Sequence, residues 1–269
     1  LLASLGLANP SQFITFQNKL YFTADNAEFG RELWVTNGTR AGTSLVKDIR
    51  FGAASALGFS GNFLTVLGSN LYFTANDGLT GNELWKTDGT AAGTTRVRDL
   101  TPGGTSTVFN GVIAFNNRLF LTVTEGGQKN LYATDGTNQG TSRVIFFSGS
   151  VHLLAPAADG NSLFMVTTIT GAPNTYRLYQ FGLTPTGQLP FPNQLIASLG
   201  TVAPTELLAP SSSQLLIADA TQLRIAQTGA PWTIAAIGGG AQPFTLPRAL
   251  LSQGSGLLYF VARATNGAV

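Results

Sequence analysis

Residues 81–99 read GNELWKTDGTAAGTTRVRD, and the chain has already written the same pattern over residues 30–48 as GRELWVTNGTRAGTSLVKD. Both copies obey G-x-E-L-W-x-T-[ND]-G-T-x-x-G-T-x-x-V-x-D. A third, worn copy runs from Asn130 as NLYATDGTNQGTSRVI. So regular a repeat specifies architecture. Because it builds every unit in which it occurs, it does not by itself mark a unique active site.

The residues around the motif are those of strands. Lys19-Leu20-Tyr21-Phe22-Thr23-Ala24 is rich in aromatic and β-branched side chains and predicts one strand. Arg31 to Thr36 predicts the next. The pairs Asp88-Gly89 and, in the first copy, Asn37-Gly38 predict tight two-residue hairpins with positive φ, which would fold ELWKT back onto TTRVRDL. A further strand, Gln12 to Gln17 or Asn62 to Leu67, precedes each LYF segment across the short turns Gln17-Asn18 and Gly68-Ser69-Asn70. Each unit is therefore expected to be a four-stranded antiparallel meander.

The LYF-like strand recurs at Leu20, Leu71, Leu119, Leu163, Leu215 and Leu258, a spacing of roughly 40 to 50 residues that is the period of a propeller blade. The expected fold is all-β, a single β-propeller domain over residues 1–269. Its blades fall near 11–49, 60–100, 108–147, 151–199, 205–238 and 247–269 with 1–7. Six blades are expected, or seven if the chain continues. Ala3-Ser4-Leu5-Gly6 matches Ala197-Ser198-Leu199-Gly200. Leu1 to Leu7 is accordingly expected to be a fourth strand that closes the last blade and removes its free edge.

The repeat resembles the ELWxxDGT repeat family, bacterial proteins that are mostly secreted or surface-associated and form β-propellers. The match is close over 30–48 and 81–99, with Asn37 in place of the usual Asp. It is partial over 130–145, where Tyr132 replaces Trp and the Glu is lost, and beyond residue 146 only the strand rhythm carries it. The resemblance implies a propeller at the cell surface or outside the cell, with any signal peptide removed, and brings no catalytic residues.

With 43% hydrophobic residues the chain can bury a large core. It has no cysteine, hence no disulfide, and no apolar run of 18 residues, so no membrane-spanning segment is expected. Net charge is +2 with only 10% of residues charged. The scattered Lys and Arg do not form the cluster that nucleic-acid binding needs. Residues 1–145 hold 21 of the 28 charged side chains (15 Lys and Arg, 13 Asp and Glu). The charge-poor residues 146–269 are the expected docking face for a protein partner or for further copies, since interface cores are depleted in charge.

The inventory for chemistry is thin. His152 is the one histidine, and no nucleophile elbow or Walker loop is present. The repeated acids Glu32 and Glu83, with Asp48 and Asp99, are expected to hold backbone donors or to pair with Arg and Lys. Asn76-Asp77-Gly78 with Glu83 is a weak calcium candidate around Asp77. Trp34, Trp85 and Tyr132 share one repeat position and are expected to fill the space between blades. Gly38, Asp88, Gly89, Asp135 and Gly136 are read as turn builders. Phe29, Phe191 and Trp232 are the weak candidates for a binding surface. No cofactor is expected. The favoured reading is a non-catalytic surface scaffold that docks a partner. A glycan-binding propeller is the alternative, and a hydrolase with a central-channel site a distant third.

Overall fold

A computed structural model of the 269-residue chain describes residues 2–58, 63–125, 127–144, 149–160, 162–169, 174–182, 194–219, 223–227, 233–236, 244–245, 250–252, 258–260 and 263–264. The chain divides into two compact units, Leu1–Ile145 and Phe146–Val269. Every described regular element except one short 3-10 turn is a strand.

The first unit contains three four-stranded sheets. The first has β1 (Leu7–Phe16), β2 (Lys19–Asn26), β3 (Gly30–Thr36) and β4 (Ser44–Leu45). The second has β5 (Leu64–Leu67), β6 (Asn70–Asn76), β7 (Asn82–Thr87) and β8 (Thr95–Arg98), and the third β9 (Val108–Phe115), β10 (Arg118–Glu125), β11 (Gln128–Thr134) and β12 (Ser142–Arg143). The second unit contains β13 (Gly149–Pro156), β14 (Ser162–Ile169), β15 (Thr175–Gly182) and β16 (Gln194–Gly200) in one sheet. A further sheet has β17 (Pro204–Ser211), β18 (Gln214–Asp219), β19 (Leu223–Gln227) and β20 (Thr233–Ala236). Two short pairs follow, β21 (Phe244–Thr245) with β24 (Arg263–Ala264) and β22 (Leu250–Ser252) with β23 (Leu258–Phe260). All these strand pairs are antiparallel, and the five larger sheets are meanders of sequential strands.

The LYF-like segment is the second strand of each meander. Tyr21, Phe22, Thr23 and Ala24 are buried in succession on β2, as are Leu71 to Ala75 on β6 and Ser162 to Thr167 on β14. A strand covered on both faces reads as a continuous apolar run, which is why the segment stands out along the chain. Its entry turn is tight where two residues take positive φ: Gln17 (50°) with Asn18 (57°), and Asn116 (45°) with Asn117 (55°). These are the primed hairpin turns whose twist matches that of the strands.

Two expectations are corrected. Asp88-Gly89 does not form a two-residue hairpin: β7 ends at Thr87 and β8 begins at Thr95, so the connection is a longer loop in which Gly89 has φ +95°. Side chains within this loop make the bonds that a tight hairpin would have made with its backbone. The N-terminal segment is not a strand either. Ala3–Leu5 is a 3-10 turn ended by Gly6 at φ 69°, and Leu7 then enters β1 opposite Asn26. The matching residues Ala197 and Ser198 are in β16, paired with Leu178 and Arg177. The N-terminal copy instead places Leu2 and Leu5 against the buried cluster of Leu7, Phe22, Ala24 and Trp34. The same four residues thus follow whichever apolar partner is within reach.

Candidate functional site

The three DGT loops are built identically. In the second, Asp88 Oδ1 accepts from Thr90 N–H at 2.9 Å and from Thr90 Oγ1 at 2.7 Å, an Asx-type turn. Thr90 Oγ1 accepts from Gly93 N–H at 2.9 Å, and Thr94 Oγ1 donates to Thr90 O at 2.6 Å. Thr87 and Thr94 share a buried hydroxyl contact of 2.7 Å. Asn37-Thr39-Gly42-Thr43 and Asp135-Thr137-Gly140-Thr141 repeat each bond of the turn. These hydrogen bonds lower the Asp88 and Asp135 pKa values below the ordinary aspartate value. The motif's spacing is therefore the spacing of one self-satisfied loop.

Neighbouring repeats of the first unit are tied through these loops. A Cβ at Gly89 would collide with Tyr21 Oη and one at Gly136 with Tyr72 Oη, so each tyrosine of an LYF strand lies on the DGT glycine of the following repeat. Lys47 Nζ donates to Thr94 O at 2.7 Å, and Arg98, at the matching position, donates to Thr141 O. In the third copy the matching residues are Phe120 and Ile145. The motif's first glycine has a similar reason: a Cβ at Gly81, φ +79°, would stand 2.6 Å from Thr105 O.

The aromatic position is interior. Trp34 and Trp85 are 6% and 7% exposed. Trp85 shares a cluster with Phe16, Tyr21 and Val35 of the first sheet and Phe73 of its own. Tyr132 packs against Tyr72 and Leu84 of the second sheet and Leu119 and Leu121 of the third. The rings of Trp85 and Tyr132 join adjacent sheets, whereas Trp34 packs within the first sheet and against Leu2 and Leu5 of the N-terminal turn, and none of the three offers a free face as a sugar platform. Phe29 is half-buried, edge-on to Trp34 at 6.4 Å. Phe191 and Trp232 lie outside the described residues.

The repeated acids are the most unusual groups chemically. Glu32 and Glu83 are both wholly buried. Glu83 Oε2 accepts from Leu100 N–H at 2.9 Å, while Oε1 accepts from Thr101 Oγ1 at 3.0 Å and Thr107 Oγ1 at 2.7 Å. Glu32 Oε1 accepts from Arg50 N–H at 3.2 Å. Its Oε2 has no partner among the described residues, and neither has Asp48 Oδ1. Burial pushes both glutamates up, Glu32 to about 8, with the nearby Asp48 charge adding to the shift. The weak calcium candidate is otherwise engaged: Asp77 Oδ1 accepts from Leu79 N–H, Thr80 N–H and Thr80 Oγ1, closing its own turn. Among the described residues no three His, Cys, Asp or Glu side chains converge. His152 Nε2 lies 2.7 Å from Pro204 O, with its ring 5.1 Å from that of Tyr176.

A feature that composition did not signal lies on the surface of the first unit. Phe51 is 95% and Leu79 81% exposed, on loops brought together by Arg50, whose Nε lies 3.3 Å from the position a Cβ would take on Gly78. In the second unit the exposed large apolar side chains among the described residues are Leu195 at 49% and Val202 at 40%. Among the described residues no helix is long and apolar enough to cross a membrane.

No protein-family model matches this chain, and no curated protein sequence does. Its likenesses are to solved structures. A puromycin-hydrolysing peptidase of Mycobacterium tuberculosis matches with a TM-score of 0.61 at 11% identity, over 98% of this chain and 45% of its own. Prolyl oligopeptidase B of Galerina marginata matches with a TM-score of 0.59 at 8% identity, over 96% of this chain and 41% of its own. A eukaryotic initiation factor matches with a TM-score of 0.53 at 12% identity, over 86% and 55% of the two chains. The chain spans less than half the length of either peptidase. At such identities the likeness is one of fold: the protein is all-β and β-propeller-like, made of four-stranded antiparallel blades.

Proposed function

We propose that this chain is a non-catalytic propeller scaffold, six-bladed and of the ELWxxDGT kind, that works at the cell surface or outside the cell by docking a protein partner. The observation that carries the reading is the exposed apolar pair Phe51 and Leu79 on adjoining loops. Large apolar side chains held at such exposure on a rigid frame are what a partner covers. Glu83, the loop threonines and the aromatics point the same way, since each has an internal structural task. This moves the proposed docking surface from the charge-poor residues 146–269 to the loop rim of the first unit.

The test is the mass of the native particle, by light scattering with mass spectrometry of what co-purifies, for the wild type and for F51S/L79S. The expected result is a wild-type particle larger than the 28.1 kDa chain and a variant that melts normally but runs as the lone chain. A wild type that is itself a lone chain, or a variant that assembles like the wild type, rejects the reading.

A further inference from the structure

The first repeat keeps both acids of the motif and lacks the side chains that answer the glutamate in the second, where Asp99 Oδ1, like Asp48 Oδ1, has no hydrogen-bond partner among the described residues. Around Glu83 and Asp99 stand Thr101 and Thr107, whose hydroxyls donate to Glu83, and Arg96, 3.7 Å from Asp99. The matching residues of the first repeat are Arg50, Ala56 and Leu45. Arg50 keeps only its backbone amide on Glu32. Its guanidinium reaches Ser55 O at 3.5 Å and lies against Gly78. Arg31, next to Glu32 in sequence, is held by Asp25, Ser11, Thr23 and the carbonyl of Asn9.

Two carboxyl groups, Glu32 on β3 and Asp48 on the turn that follows β4, are thereby left without an ion-pair partner among the described residues. Asp48 Oδ2 accepts from Gly52 N–H at 3.1 Å, and its Oδ1 has no partner among the described residues. Glu32 is wholly buried with Oε2 in the same condition. Buried charges of like sign persist only with a proton or a cation between them. Both bare atoms are hard oxygen donors, the type that calcium takes along with backbone carbonyls and water. We propose that Glu32 and Asp48 hold one hard divalent cation, calcium or a close equivalent, at the turn that follows β4. The corresponding place in the second repeat is closed to it, because both oxygens of Glu83 already accept hydrogen bonds.

The experiment is thermal melting and calorimetric titration of the whole chain after treatment with EDTA, at pH 7.5, with calcium chloride as the probe. Wild type and D77N should both melt several degrees higher with calcium and bind one equivalent. E32Q and D48N should melt at the same temperature with and without it. Two variants are used so that one remains if the other does not fold; Asp48 is the more exposed. No calcium-dependent rise in the wild type, or an undiminished rise in E32Q or D48N, overturns the proposal and leaves a proton as the counter-charge. Loss of the rise in D77N alone would move the site to the Asp77 turn and overturn it equally.

Discussion

Glu32 and Glu83 occupy the same position of consecutive repeats and are equally buried, yet they are satisfied to different degrees. Glu83 is saturated by one amide and two hydroxyls, and so braces the segment from Leu100 to Thr107 against β7. Glu32 is answered by backbone amides alone, those of Arg50 and Ile49, and keeps a bare oxygen beside another acid. The difference comes from two side chains on the segment facing the acid, Arg50 for Thr101 and Ala56 for Thr107. A repeat can thus keep its architecture while the hydrogen bonding of one buried acid changes. Backbone pairing supplies the architecture, and a few side-chain donors decide how well the acid is satisfied.

The largest effect expected from breaking the shared frame is at the aromatic position. Trp85→Ala should cost on the order of 3 to 5 kcal/mol in chemical denaturation, because the ring fills the space between the first two sheets. Glu83→Ala should come next, at about 3 kcal/mol, since it removes the acceptor of the Leu100 amide and of the buried Thr107 hydroxyl.

Glu32→Gln should behave differently, and with pH. The folded-state pKa of about 8 lies above the ordinary value of 4.5, so the stability linked to the protonated acid is complete below pH 4.5 and lost as pH rises through 8. In EDTA, wild-type stability should therefore fall between about pH 5 and pH 9, by up to a few kcal/mol. In E32Q most of that slope should disappear, leaving the variant the more stable of the two at about pH 9. Converting the first repeat toward the second sharpens the contrast: R50T/A56T restores two hydroxyls and should flatten the same curve while keeping the glutamate. The smallest effect is expected at Asn37→Asp. Asn37 Oδ1 already accepts from Thr39 as Asp88 does from Thr90. The unfolding free energy, measured by chemical denaturation, should change by no more than about 0.5 kcal/mol.

Much of this is legible along the chain. The strand rhythm, the meander and the interior aromatic position follow from apolar runs at a fixed spacing, and the described sheets fall where the LYF segments put them. The DGT loop departs from its expected two-residue hairpin although Asp-Gly is the strongest short hairpin signal. The competing signal lies in the threonines at 87, 90 and 94, whose hydroxyls satisfy a longer loop locally. The N-terminal ASLG copy departs for another reason: a tetrapeptide's structure depends on its neighbour, and Leu2 and Leu5 meet the Trp34 cluster rather than a strand edge.

By itself the sequence determined the all-β class, the repeat, the order of strands within each meander and the turn chemistry, because backbone pairing and local side-chain bonds act over a few residues. Only the tertiary structure decided which acid is answered and which is bare. It also decided that the tyrosines lie on the next repeat's glycines, and that Phe51 and Leu79 are exposed on loops joined by the approach of Arg50 to Gly78. Each of these depends on groups 17 to 68 residues apart in the chain, brought together by packing that no local pattern records.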